Sequence, residues 1–122
     1  MNREAHIAES IVAGYSYAVD TMDIVVEGWK PFNVDMIREI NAVYFDFKDD
    51  EGEDREDGRF RIISHQTLCR PMGWQQEQDM KKKGLAPTTK IRGQIPQGSG
   101  DAAFNALSTM LKKKFEAKVT VA

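Results

Sequence analysis

A chain of 122 residues, 41% hydrophobic and 30% charged, is long enough to bury a core unaided, and it contains no apolar run near the length that spans a bilayer. One cysteine, Cys69, excludes an internal disulfide and gives no sign of an oxidising compartment. The net charge of −2 hides a division: residues 1–58 carry fifteen acids and five bases, residues 59–122 four acids and twelve bases. Such asymmetry suits a dipolar subunit that stacks on copies or neighbours, or a basic face for nucleic acid. A single domain spanning 1–122 is expected, with a cytoplasmic setting, since Arg3 and Glu4 open an amphipathic stretch unlike a secretory leader.

In chain order, Asn2 is placed to cap a first helix running to about Thr21, with Ala8, Ile11, Val12, Tyr15, Val19 and Met22 at helical spacing. Asp23–Glu27 reads as a short buried strand closed by Gly28-Trp29-Lys30-Pro31. Asn33 then caps a short helix, Val34–Asn41, that offers Met36, Ile37 and Ile40 to the core; the alternative is an extended segment running straight into Val43.

Residues 43–66 form the centre of the fold. Val43, Phe45 and Phe47 alternate with Tyr44, Asp46 and Lys48, and beyond an acidic loop Phe60 and Ile62 alternate with Arg59, Arg61 and Ile63. A period of two in aromatic and β-branched residues is the mark of half-buried strands, so an antiparallel hairpin is expected here, with Asp46 and Lys48 beside Arg59 and Arg61 on its outer face. The loop holds Asp49, Asp50, Glu51, Glu53, Asp54, Glu56 and Asp57 against Arg55 alone. It must stay in solvent, because burying unpaired charge costs more than packing returns. It is either a solvated turn or a docking element for a basic partner. The spacing lacks the ligand pattern of a calcium loop.

Residues 67–74 read as an irregular crossing, and 74–83 as a polar helix anchored by Trp74 and Met80, ending in Lys81, Lys82 and Lys83 before Gly84. Thr88–Ile95 is an expected edge strand carrying Lys90 and Arg92, and Pro96–Gly100 a loop. Asp101 is placed to cap a C-terminal helix with Phe104, Leu107, Met110, Leu111 and Phe115 on one side. The fold class is therefore α+β, an antiparallel sheet built on the 43–66 hairpin with a helix at each end.

The motifs point away from chemistry. His65 and Cys69 alone do not complete a zinc ligand set or a nucleophile–base–orienter trio. Gly93-x4-Gly98-Ser99-Gly100 before a helix lacks the lysine and hydroxyl of a nucleotide loop, leaving at most a backbone anion site near Lys90 and Arg92. No cofactor is expected. The run Arg3…Ala8…Ala13, a strand ending Val26-Glu27-Gly28-Trp29, and a hairpin closing on Arg61-Ile62-Ile63-Ser64 together resemble part of Mu-type phage tail baseplate hub proteins. That resemblance spans residues 3–66 and implies a structural role for Gly28 and Trp29 and a virion setting. The expected function is a non-enzymatic subunit or adaptor of a larger assembly, homo-oligomeric or mixed. Its partner-binding residues would be the seven acids of the loop together with Trp74, Lys81, Lys82, Lys83, Lys90 and Arg92. The alternative is a nucleic-acid accessory protein, in which Trp74 stacks on bases and the basic residues track the backbone.

Overall fold

The computed structural model describes residues 18–122, in which six strands and three helices form an α+β fold. Strands β1 (Val19–Glu27), β4 (Arg61–Cys69), β5 (Thr88–Pro96) and β6 (Lys118–Val121) make one antiparallel sheet in the order β4-β5-β1-β6. Strands β2 (Tyr44–Lys48) and β3 (Asp54–Arg59) make a separate two-stranded hairpin. Helices α1 (Val34–Asn41), α2 (Trp74–Lys82) and α3 (Gly100–Phe115) complete the described chain.

Alternation along the strands creates the core. Ile24 and Val26 of β1, Ile91 and Ile95 of β5, and Val119 of β6 face one side of the sheet, where Met36 and Ile40 of α1, Ala103, Leu107 and Leu111 of α3, Phe45 and Phe60 close over them. The predicted aromatic–aliphatic set is core: Phe45 and Phe60 are buried, with Phe47 and Ile62 packed against them. Asn33 caps α1 as expected, its Oδ1 accepting from the backbone N–H of Asp35 and Met36. The other face of the sheet is polar. Asp23 sits across from Arg92, and its carboxylate accepts from Arg92 Nε at 2.8 Å with Lys90 Nζ at 3.6 Å.

The hairpin differs in detail from the sequence expectation. An antiparallel hairpin does lie within 43–66, but its second strand is Asp54–Arg59, within the stretch read as an acidic loop. Phe60 ends it, and Arg61 onward belongs to the larger sheet. Asp and Glu disfavour strands, yet β3 is fully exposed except at its end and so accepts them. Lys48 therefore pairs with Asp54 at 3.1 Å, and Arg59 lies across from Tyr44 with its guanidinium 5.2 Å from that ring, rather than facing Asp46 and Lys48.

Two glycines make room for buried aromatic rings, one within the hairpin and one where it meets the sheet. At Gly58, opposite Phe45, a Cβ would lie 2.6 Å from the Phe45 ring. At Gly93, in the middle of β5, it would lie 2.4 Å from the buried Phe60 ring. The hairpin docks onto the sheet through this missing side chain.

Other boundaries move for tertiary reasons. Residues 1–17, which hold most of the expected first helix, lie outside the described residues. Val19–Thr21 are strand, because β1 extends to pair with Ile95 and Pro96. The expected edge strand at 88–95 is instead central, flanked by β4 and β1. Ser99, not Asp101, is the residue before the last helix. A sixth strand follows that helix after a left-handed Glu116 (φ 52°).

Candidate interaction surface

The residues singled out by charge differ in their exposure and in their roles. Asp49 is structural: its Oδ1 accepts from the N–H of Glu51 and Glu53, and its Oδ2 from Arg55 Nε at 2.9 Å. With a side chain only 6% exposed, it organises the turn and does not offer a charge to a partner. Its carboxyl is held below the ordinary value of 3.8, chiefly by the Arg55 hydrogen bond and then by the two backbone donors. Asp54 is bridged to Lys48. Asp50, Glu51, Glu53, Glu56 and Asp57 are exposed on the hairpin.

The basic set is dispersed over two elements. Lys81, Lys82 and Lys83 stand exposed at the end of α2, where Lys81 meets Glu77 at 3.7 Å. Lys90 and Arg92 lie on the polar sheet face and are tied to Asp23, whose carboxyl is lowered, chiefly by Arg92. Trp74 is 71% exposed, and α2 buries no residue fully; residues 77–80 are half-buried. Lys81 Nζ lies 5.0 Å over the Trp29 ring, and Gly84 turns the chain at φ +70°.

The anion loop suggested by Gly93 and Gly98 does not form. Gly93 lies within β5 beneath Phe60, and the Gly98 N–H donates to the Asp20 carboxylate at 3.0 Å, so a protein anion already occupies that donor. Among the described residues no three His, Cys, Asp or Glu side chains gather as metal ligands.

Strand β4 is the longer of the two edges of the sheet, nine residues against four for β6. Its ladder with β5 shifts register twice, between Ile62 and Ser64 and between Thr67 and Cys69. The residues passed over are Ile63 and Leu68, and both are about half exposed. Bulges of this kind re-aim side chains and resist simple edge-to-edge pairing. The edge continues into Met72, 88% exposed, and Trp74.

Beside this edge lies a groove of about 390 Å³ that the charge pattern did not reveal. Strand β4 supplies His65, Thr67 and Cys69, and the turn after β1 supplies Trp29, Lys30 and Phe32. Arg70 and Pro71 form another wall. Along β5, the change from buried Ile91 to half-buried Thr89 marks where the sealed core opens into it. A hydrogen bond from Gly28 N–H to the Pro87 carbonyl (2.9 Å) fixes the turn, and the Phe32 and His65 rings meet at 4.7 Å. The sequence signal was present in Gly28-Trp29-Lys30-Pro31 and Arg70-Pro71, two turns far apart in the chain with nothing in either to show that they meet.

Comparison of the chain with protein-family models, with curated proteins and with solved structures returns no match.

Proposed function

We propose that the chain is a non-enzymatic subunit or adaptor of a larger protein assembly, contacting its neighbours through the β4 edge. The observation that carries this is the succession of exposed apolar side chains along that edge: Ile63 and Leu68 on the two bulges, then Met72 and Trp74. Exposed apolar side chains in succession along one edge offer a protein contact site, and aromatic and methionine side chains are enriched at such sites. The bulges favour a partner that meets side chains over one that merely extends the sheet. The exposed acids of the hairpin and the lysines of α2 would steer encounter between copies. A phage tail or virion is the assembly to which the resemblance of residues 3–66 points. The nucleic-acid alternative has less support, because Lys90 and Arg92 already satisfy Asp23.

Light scattering over a wide concentration range tests this reading. The wild-type mass should rise above that of one chain, and the double variant Ile63→Lys, Leu68→Lys should return it to one chain with an unchanged melting temperature. A wild-type protein that stays monomeric at every concentration and salt level overturns self-assembly. Assembly indifferent to both lysines removes the edge as its contact.

A further inference from the structure

We infer that the groove beside β4 is the anchor pocket for an acidic segment of a partner protein that bears an aromatic side chain. The ring would enter between Trp29 and Phe32, with flanking carboxylates on Arg70 and Lys30. This rests on the assembly reading above and names the chemistry of the segment received.

The groove's volume of about 390 Å³ falls within the range of pockets that enclose a ligand rather than merely touch one. Its aromatic walls are fixed before any partner arrives. Trp29 is covered by the Lys81 ammonium yet still 39% exposed, and Phe32 is braced by His65 at 4.7 Å. Preformed aromatic pockets are where single anchor residues concentrate binding strength, because little side-chain freedom is lost on contact.

Charge then selects the partner. Among the described residues, Lys30 and Arg70 have no carboxylate partner, and the one acid lining the groove, Glu77, is already engaged by Lys81. The rim is therefore cationic. An Arg guanidinium takes a carboxylate through two parallel hydrogen bonds, and a basic segment would be rejected by like charge. Leu68 and Met72 flank the groove-lining residues Cys69, Arg70 and Pro71 in sequence, so a segment seated there continues the apolar edge.

The test is an NMR titration of the isotopically labelled full chain with three blocked tripeptides: Glu-Phe-Asp, Glu-Ala-Asp and Lys-Phe-Lys. Glu-Phe-Asp should give saturable shifts at the Trp29 indole N–H and at His65, and the other two should bind at least tenfold more weakly. Arg70→Glu, a change at an exposed site, should weaken Glu-Phe-Asp at least tenfold, and Arg70→Lys should keep most of the affinity. Absence of saturable shifts, equal binding of the three peptides, or indifference to Arg70→Glu overturns the inference. Phenylacetate binding as tightly as Glu-Phe-Asp also overturns it, by reassigning the groove to a small aromatic acid. The Ile63→Lys, Leu68→Lys variant separates the two readings. Assembly by a chain that ignores all three peptides removes the groove alone, and peptide binding by a chain that never assembles with itself keeps the groove and removes self-assembly.

Discussion

The acidic hairpin and the β4 edge with its groove show how little charge count says about where a partner binds. The hairpin has the densest charge in the chain, but two of its carboxylates are engaged internally: Asp49 holds the turn and Arg55, and Asp54 holds Lys48. The groove side has few charges, yet Lys30 and Arg70 stand beside a preformed aromatic wall. A surface ion pair adds little stability, and an exposed acid adds mainly encounter rate. An aromatic pocket with an unneutralised cation offers both packing and selection.

The largest way to break this comparison is to separate the two regions. Phe60→Ala removes the buried ring that joins the hairpin to the sheet and should cost about 3–5 kcal/mol, lowering the melting temperature by more than about 10 °C. Gly93→Ala presses a methyl against the same ring from the opposite side and should cost about 1–3 kcal/mol by overpacking. Thermal denaturation checks both. A melting temperature unmoved by Phe60→Ala would mean that the hairpin is not held by this contact.

A smaller effect comes from pH. Asp49 and Asp23 have folded-state pKa values below the ordinary carboxyl value of 3.8, so each contributes stability above its unfolded pKa. That contribution should be intact above about pH 5 and lost as pH falls below about 4. Asp49→Ala should remove the hairpin's share, seen as faster amide exchange at Glu51 and Glu53 at neutral pH and a flatter acid dependence. Unchanged exchange at those amides would show that the Asp49 carboxylate does not order the turn.

The smallest stability change should come from neutralising the exposed acids. Replacing Asp50, Glu51, Glu53, Glu56 and Asp57 with Asn or Gln should leave the folded state within about 0.5 kcal/mol or stabilise it slightly. Association should slow and lose salt sensitivity, as stopped-flow light scattering would show. An unchanged rate would reduce the hairpin acids to a solvated surface.

The sequence by itself determined the α+β class, helix α3 to within a residue or two, and the burial of Phe45 and Phe60, and it favoured helices at α1 and α2. Those features depend on local signals: alternation, the Asn33 cap, and apolar residues repeating at helical spacing. Strand β3 was hidden because its acids have low strand propensity, and only pairing with β2 in solvent makes it a strand. The tertiary structure also decided which strand is central and which is an edge. Strand β5 reads as an edge from its lysine and arginine, but they lie on the polar face against Asp23 while the backbone pairs on both sides. The groove was equally out of reach, since it requires the turn at Trp29 to meet Arg70 and Pro87 across three strands. Periodicity reports which side of its own strand a residue faces; only the pairing order of distant strands determines what lies beside it.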